Sequence, residues 1–353
     1  MSGKTVFIIG PGFIGWNVLD LLIAEGYQVT GMVRREQHAE GIRKSGAKVV
    51  FGDLDNKPLI TEHTANSDIV IHTATADHLA SVEAVLDGIR QRAAASKETI
   101  YLHTSGTSLL DDGALGAFKG DKIYTDADPS IIDALPETQP HRFVDLAIAR
   151  AARSDELAGK AKIAIVIPPE IYGWNERHGR LTIQLPTIAR FALVRGWAGH
   201  VGDGLSVESQ IHVKDLARAY VVLLHVIEKS GQDTAWLREN PYFFCENGRE
   251  FSWKEVAEGV AESLVKVGRL PKKDVRSFDK EAGDWDQLFA AGTAAAIGLN
   301  SRSRAVRLRE LGWEPREKSI WESWEQDELP AVLREWDARP EAEKTSAYML
   351  RVV

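Results

Sequence analysis

Two side chains that can move protons stand four residues apart in the stretch LPETQPHRFVDLAIARA, residues 135–151. The stretch begins in a proline-containing turn and continues as a helix, so the spacing places His141 and Asp145 on one helix face. An imidazole exchanges protons near neutral pH, which suits a general acid or base. A carboxylate can accept hydrogen bonds from hydroxyl groups and stabilise a nearby positive charge. The pair therefore predicts acid–base chemistry, with helix capping and packing as the alternative.

Hydroxyl and aromatic side chains elsewhere can serve the same site. Ser105 and Thr107, in TSGTS (104–108), can donate hydrogen bonds to a substrate carbonyl. Tyr124, in KIYTDADP, lies on the loop before the helix that carries His141, so its phenol can reach the site. A packing role is the alternative for each tyrosine. The predicted substrate contacts are Tyr172, Trp174 and His178.

A glycine-rich turn near the start of the chain predicts a dinucleotide site. GPGFIG follows an apolar strand and opens a helix, which is the context that such a motif requires. Gly10 makes the tight turn, Gly12 lets the backbone approach a pyrophosphate, and Gly15 lets the helix pack close to the strand. Phe13 and Ile14 complete the turn, and the helix start offers free N–H groups to the anion. A turn that binds no ligand is the alternative.

The second strand bears on the choice between NADP and NAD. It ends in Arg34 and Arg35, whose guanidinium groups favour a 2′-phosphate through charge-assisted hydrogen bonds. Glu36 can still reach a ribose hydroxyl, so NAD(H) stays possible, although it is the less favoured cofactor. The other predicted cofactor contacts follow later strands: Asp53 and Leu54, Thr73, Ala74 and Thr75, Thr104, and Pro168 and Ile171.

These candidates need a scaffold that brings strand ends together. Apolar runs alternate with helical patterns through the first half, which predicts an α/β fold with a Rossmann-type doubly wound parallel sheet. We predict a dinucleotide-binding domain at 1–168, with a strand at 242–247 returning to its sheet. A smaller, mainly substrate-binding region follows at 169–353. The tail PEAEKTSAYMLRVV could be a lid, an interface or a frayed end.

Composition argues against several classes of protein. The chain has 353 residues and a formal net charge of −8, which disfavours nucleic-acid and anionic-membrane binding but allows a local basic pocket. The single cysteine, Cys245, permits no disulfide within the chain and fits a reducing compartment. Glycines and a proline interrupt the first apolar run, so it is not a signal peptide. We expect a cytoplasmic protein without a metal site, because His178 has no second ligand at metal spacing.

With these motifs placed, the chain resembles the extended short-chain dehydrogenase/reductase family, which includes the sugar-nucleotide epimerases and dehydratases. The resemblance spans roughly residues 5–250. GFIG (12–15) resembles the cofactor turn, and TSGTS resembles the segment that bears the catalytic Ser or Thr. IPPEIYG (167–173) and IHVKDLARAY (211–220) resemble two later signatures, and YFFCENGREFSWKEVAE resembles the return strand and its helix.

Two departures set the chain apart from this pattern. The family's usual turn has a glycine where Ile9 stands here. The family also uses Y-x-x-x-K, in which Tyr donates a proton to the substrate and Lys holds the nicotinamide ribose. The segment at that place runs from His141 to Asp145, and no Y-x-x-x-K occurs in the chain. The resemblance thus implies an atypical active site, and it also implies a homodimer formed through helix 78–96 and the helix after His141.

We interpret the chain as an atypical NADP(H)-dependent oxidoreductase for a small-molecule carbonyl or alcohol, in which His141 protonates the substrate oxygen. A redox-neutral epimerase, isomerase or dehydratase with bound cofactor is a second hypothesis. The third hypothesis is a non-catalytic regulator that senses NADP(H), because a dinucleotide-binding fold without Tyr and Lys can act as a sensor. The expected partners are a small-molecule substrate and a second copy of the chain.

Overall fold

Short apolar strands alternate with helices along most of the chain. The computed structural model describes residues 3–231 and 233–340. The tail PEAEKTSAYMLRVV lies, after Pro340, outside the described residues, so its role stays a prediction. The strands in the described residues are β1 (Thr5–Ile9), β2 (Gln28–Val33), β3 (Lys48–Phe51), β4 (Ile69–His72), β5 (Thr99–Thr104), β6 (Tyr124–Thr125), β7 (Ala161–Ile167), β8 (Glu170–Tyr172), β9 (Trp174–Asn175), β10 (Arg180–Leu181), β11 (Ala198–His200), β12 (Val207–His212), β13 (Tyr242–Phe244), β14 (Glu250–Ser252), β15 (Val275–Ser277) and β16 (Ser303–Arg304).

The helices cover the sheets and connect their strands. Short 3-10 turns at Thr107–Leu110, Trp285–Gln287 and Ala290–Gly292 and a π-helical turn at Trp324–Glu328 add to them. The α-helices in the described residues are α1 (Phe13–Ala24), α2 (Glu36–Lys44), α3 (Lys57–Ala65), α4 (Leu79–Ala94), α5 (Pro129–Asp133), α6 (Arg142–Arg153), α7 (Gln184–Arg195), α8 (Val213–Lys229), α9 (Ala235–Glu239), α10 (Trp253–Lys266), α11 (Thr293–Ile297), α12 (Arg307–Glu310), α13 (Ile320–Ser323) and α14 (Leu329–Asp337).

One parallel sheet forms the centre of the molecule, in the strand order β13-β7-β5-β4-β1-β2-β3. Its middle strands are apolar and fully buried, because helices cover both faces. Helix α1 packs beside α8, and α4 packs between α3 and α6. The prediction of an α/β, doubly wound Rossmann-type fold is confirmed. The strand Tyr242–Phe244 pairs with β7 after a long excursion of the chain, while the two predicted domain ranges stay predictions.

A second apolar core lies beside the sheet in the later part of the chain. It gathers around large buried side chains such as Trp253, Trp324 and Phe191. The small sheet β14-β12-β8 stands between the two cores, since Ile171 and Ile211 pack on the first core while Tyr172 belongs to the second. Among the helices of the described residues, none has the length and apolar character that crossing a membrane requires.

Candidate active site

The glycine turn joins β1 to α1 with little free space on its protein side. Gly10 has a φ of +82°, and its carbonyl oxygen accepts a hydrogen bond from the Gly12 N–H at 2.7 Å. A Cβ on Gly15 would lie 2.2 Å from the Thr73 hydroxyl oxygen, so the helix can approach the strand only without a side chain there. A Cβ on Gly12 would meet no atom closer than the Gly10 oxygen at 3.9 Å. The open side of the turn is therefore at Gly12.

This geometry fits the pyrophosphate of a dinucleotide. Gly12 is the N-cap of α1 and has no side chain to cap it, so the first N–H groups of the helix, from Phe13 and Ile14 onward, face the open side. Thr73 donates to the Gly10 oxygen at 2.7 Å, and a Cβ on Gly10 would lie 2.7 Å from Ala74. The two residues thus form the wall behind the turn.

Three arginines act on the first turn of α2. Arg34 and Arg35 are exposed and follow β2 directly. Arg180 comes from β10, where its guanidinium lies 5.8 Å from the centre of the Trp16 ring on α1. Burial lowers the pKa of His38, and the positive charges of these three arginines lower it further. The region is therefore suited to an anion.

The remaining predicted cofactor contacts lie at the same edge of the sheet. Several of them already form hydrogen bonds with other groups of the protein. Asp53 and Leu54 form a turn in which the Asp53 carboxylate accepts from the Asp55 N–H at 3.1 Å. Thr104 is buried and donates to the His72 carbonyl at 2.9 Å. The Thr75 hydroxyl accepts from the Asp77 N–H, the Pro168 carbonyl accepts from the Thr107 N–H, and the Ile171 carbonyl accepts from the Thr182 hydroxyl. Their cofactor roles stay predictions.

Asp145 lies fully buried on the first turn of α6 and contacts Ser105. The Ser105 hydroxyl donates to Oδ2 of Asp145 at 2.7 Å. Burial raises the pKa of Asp145 to about 6, although the Ser105 hydrogen bond and the nearby charge of His141 act in the opposite direction. Ser105 is itself 5% exposed. In this arrangement the two side chains face each other, and neither faces open space.

His141 makes hydrogen bonds with both ring nitrogens. Nδ1 lies 2.7 Å from Oδ1 of Asp77, and Nε2 lies 2.7 Å from the Ser108 hydroxyl. The hydrogen bond from His141 lowers the pKa of Asp77, which is therefore a carboxylate at neutral pH. Because a carboxylate only accepts, Nδ1 carries the proton and Nε2 of a neutral ring accepts from Ser108. The three side chains form a Ser–His–Asp chain.

The fold brings these three side chains together from two loops and the start of one helix, all at the same edge of the sheet. Asp77 follows β4, and Ser108 lies on the 3-10 turn that follows β5. His141 is the N-cap of α6 in a left-handed conformation, with a φ of +66°. Gly106 passes so close that a Cβ there would lie 3.1 Å from Nε2 of His141. The ring is thus held between the two loops and the helix start.

The other predicted site residues lie in different surroundings. Thr107 is 2% exposed and its hydroxyl bonds Ser301. Tyr124 is half-buried in β6, which pairs with β16, and the Lys122 ammonium lies 4.2 Å from its ring centre. Trp174 is half-buried in β9. Their roles, like those of all the predicted site residues, stay predictions.

Tyr172 and His178 pack inside the protein. The Tyr172 hydroxyl donates to the Lys318 carbonyl at 2.8 Å, and burial raises its pKa. The His178 ring stacks on Trp16 with centres 3.9 Å apart, and its Nε2 lies 2.8 Å from Oδ2 of Asp20. These contacts support the fold around the site.

Sequence reasoning missed Asp77 and Ser108. Ser108 stands in the TSGTS segment, where four of the five residues carry a hydroxyl group and the sequence does not distinguish one from another. Asp77 comes five residues after the end of β4, at the edge that parallel strands share. Its place after a strand is the signal that could have found it.

Two relatives carry names of oxidoreductases. Oxidase ucsJ from Acremonium sp. is 28% identical over 343 residues, which cover 88% of this chain and 93% of that protein. The 4-hydroxy-2-methyl-3-oxo-4-farnesyl-3,4-dihydroquinoline-1-oxide ketoreductase from Stigmatella aurantiaca is 30% identical over 118 residues, covering 31% of this chain and 35% of that protein. These similarities confirm the prediction of an enzyme of the oxidoreductase type.

Solved structures of epimerases share the fold. The UDP-glucose 4-epimerase from Stenotrophomonas maltophila, with bound NAD and formylated UDP-arabinopyranose, has a TM-score of 0.65 and 18% identity, covering 95% of this chain and 100% of that one. The enzyme from Bifidobacterium longum, in complex with NAD+ and UDP, has a TM-score of 0.61 and 19% identity, covering 93% and 100%. The model of the NAD-dependent epimerase/dehydratase family matches residues 6–236, and the chain belongs to this family.

Proposed function

We propose that the chain is an NADP(H)-dependent oxidoreductase that acts on a small-molecule carbonyl or alcohol. The hydrogen-bonded chain from Ser108 through His141 to Asp77 is the observation that carries this proposal. It lies at the strand edge where the glycine turn also ends, which is where open α/β sheets bind their ligands. It offers acid–base groups in a family position that has neither Tyr nor Lys here.

A bound nicotinamide supplies or accepts the hydride, and the residues of the chain handle the proton. During reduction of a carbonyl, the Ser108 hydroxyl gives its proton to the substrate oxygen and takes one from Nε2 of protonated His141. The Asp77 carboxylate stabilises the imidazolium and holds the ring in place. During oxidation of an alcohol, the proton moves in the opposite direction. The His141 side chain is 18% exposed, so solvent can return a proton to Nε2 once the product has left.

Ser108 is the hydroxyl of its segment that suits this role best. Thr104, Ser105 and Thr107 are each more than nine-tenths buried and bonded within the protein. Ser108 is half-buried and bonded to the histidine. The hydroxyl that can both meet a substrate and exchange a proton is therefore that of Ser108.

Binding and turnover test the proposal together. We expect calorimetry to show tighter binding of NADPH than of NADH, and NADPH absorbance to fall steadily with at least one member of a panel of aldehydes, ketones and quinones. Turnover of nucleotide sugars without net change of the cofactor would favour the redox-neutral alternative. Selective binding without any turnover would favour the sensor. Absence of binding to either dinucleotide would contradict all three. The homodimer and the cytoplasmic location stay predictions, which sedimentation and localisation of a tagged protein would test.

A further inference from the structure

We propose that Arg180 completes the binding site for the 2′-phosphate of the cofactor, together with Arg34 and Arg35. This inference rests on the proposed preference for NADP(H). It assigns part of the cofactor specificity to the second half of the chain, because Arg180 lies on the β9–β10 hairpin, about 165 residues after the glycine turn in the sequence.

The hairpin is fixed on α1 by several polar contacts. The Asn175 amide donates to Oδ1 of Asn17 at 2.7 Å, and Asn17 is 6% exposed. Oδ2 of Asp20 accepts from Arg177 at 3.1 Å and lies 2.8 Å from Nε2 of His178. The bonded residues of α1 lie on the two turns after Gly12. These contacts hold the hairpin over the helix that begins at the cofactor turn.

Trp16 of α1 contacts both the hairpin and α2. Its indole stacks on His178 on one side, and the Arg180 guanidinium lies 5.8 Å from its ring centre. Its Nε1 donates to the Ser45 hydroxyl at 2.9 Å, just past the end of α2. A Cβ on Gly41 would lie 2.3 Å from the indole, so α2 rests directly on the ring. Trp16 thus spans the groove between the two helices, and Arg180 stands over this groove.

The other two arginines lie at the same groove. Arg35 is the N-cap of α2, and Arg34 precedes it at the end of β2. His38, on the first turn of α2, experiences the charges of Arg34, Arg35 and Arg180 together. The charges of three guanidinium groups from two parts of the chain therefore all act on the first turn of α2, and Arg180 is placed beside this helix by its contact with Trp16. A phosphate monoester dianion is the kind of ligand that such a cluster binds by charge-assisted, bidentate hydrogen bonds.

The hairpin also offers a matched control for this role. Arg177 lies three residues before Arg180 and is exposed, and its guanidinium bonds Asp20 of α1. A change at Arg177 removes the same charge from the same hairpin, while His178 still bonds Asp20 and stacks on Trp16.

The test is calorimetric titration of wild type, Arg180→Gln, Arg180→Lys and Arg177→Gln with NADPH, NADH, 2′,5′-ADP and 5′-AMP. We expect wild type to prefer NADPH and 2′,5′-ADP over the forms without 2′-phosphate. In Arg180→Gln this preference should fall by about ten- to a hundredfold, the effect of losing a hydrogen bond to a charged group. Affinity for NADH and 5′-AMP should stay the same, Arg180→Lys should retain part of the preference, and Arg177→Gln should retain all of it.

The outcomes separate the two proposals. If wild type binds NADPH and NADH equally, the proposed preference for NADP(H) is wrong and the assignment of Arg180 falls with it. If wild type prefers NADPH and Arg180→Gln keeps that preference, only the assignment of Arg180 is overturned. An equal loss for NADPH and NADH also overturns it, because a structural role of the hairpin would weaken both. Thermal unfolding of each variant checks that the fold is intact.

Discussion

The backbone of a single residue, His141, decides which side chains can meet at the candidate site. A left-handed conformation costs a non-glycine residue about 1 kcal/mol or more, and such strain occurs often at functional sites. It turns the imidazole away from the helix and toward Asp77 and Ser108. Asp145, one turn further on, points to the buried Ser105 instead.

We expect Ser108→Ala to lower kcat/KM by about 10²–10³-fold in the oxidoreductase reaction, because the substrate oxygen loses its proton donor. NADPH affinity should not change, since the hydroxyl bonds only His141 among the described residues. Stopped-flow absorbance of NADPH and calorimetry measure the two quantities. Ser130→Ala, an exposed serine on α5, is the control. Equal loss of cofactor affinity in Ser108→Ala would contradict a role limited to the proton.

The sequence could predict the residues at the site better than their partners. Strand ends placed Thr73, Ser105 and the glycine turn at one edge, which the structure shows. The spacing of His141 and Asp145 predicted a pair on one helix face, but a residue at the N-cap does not follow helical geometry. A left-handed φ leaves no sequence signal in a histidine, so the contact with Ser108 could not be predicted from spacing.

At the scale of elements, two glycines of the same turn are expected to have different roles, Gly12 in binding and Gly15 in folding. Gly12→Ala should fold nearly as well as wild type, because its Cβ would lie 3.9 Å from the nearest atom. It should still weaken NADPH binding at least about tenfold, since that Cβ would stand where the pyrophosphate approaches. Gly15→Ala should lower the free energy of unfolding by about 1–3 kcal/mol, because its Cβ overlaps Thr73. Urea unfolding and calorimetry test both variants, and normal NADPH binding by Gly12→Ala would rule out the turn as the site.

The π-helical turn places a carboxyl group where ionisation is costly. Glu328 is fully buried and accepts from the Ser323 hydroxyl at 2.9 Å and the Gly173 N–H at 3.0 Å. Burial raises its pKa to about 7, although these hydrogen bonds act in the opposite direction. Burial also raises the pKa of Glu170 and Glu208. Ionisation is therefore unfavourable for all three carboxyl groups.

This arrangement predicts that the protein loses stability as the pH rises. The folded pKa of Glu328 exceeds the unfolded value, so the unfolded chain releases its proton first and stability falls between about pH 4.5 and about pH 7. Glu328→Gln keeps an oxygen acceptor without the charge. We expect it to be more stable than wild type by up to roughly 3 kcal/mol at about pH 8, and by much less at about pH 4.5. Urea unfolding followed by tryptophan fluorescence measures the difference, and equal gains at both pH values would contradict this explanation.

Long elements could be predicted from the sequence, and short ones could not. The strands of the large sheet are continuous apolar runs between helices, and their pattern is local. Strand β6 has two residues and pairs with β16, nearly 180 positions later. Such a pairing depends on how the two cores meet, and no local periodicity records it. For the same reason the stacking of His178 on Trp16 of α1 could not be predicted from the sequence, while its role at the substrate stays a prediction.

At the scale of the whole molecule, Asp20 on α1 bonds two residues of the β9–β10 hairpin, Arg177 and His178. We expect Asp20→Asn to speed tryptic cleavage after Arg177 several-fold, because the hairpin opens more often once the contacts of Asp20 with Arg177 and His178 are weakened. Bound NADPH should slow the cleavage in wild type. Asp87→Asn, which removes only a surface pair with Arg90, is the control. Cleavage at an unchanged rate in Asp20→Asn would show that the apolar contacts alone hold the hairpin.

The late return of Tyr242–Phe244 to the large sheet has a consequence for the nascent chain during translation. When β7 has left the exit tunnel, its outer edge still lacks a partner, because the strand that covers it is about 80 residues further along. At bacterial and eukaryotic elongation rates this gap lasts roughly 4 to 15 seconds. During that time the nascent chain presents an apolar strand edge, which is a template for unwanted pairing. We therefore expect nascent chains paused between these two strands to be preferred clients of ribosome-associated chaperones.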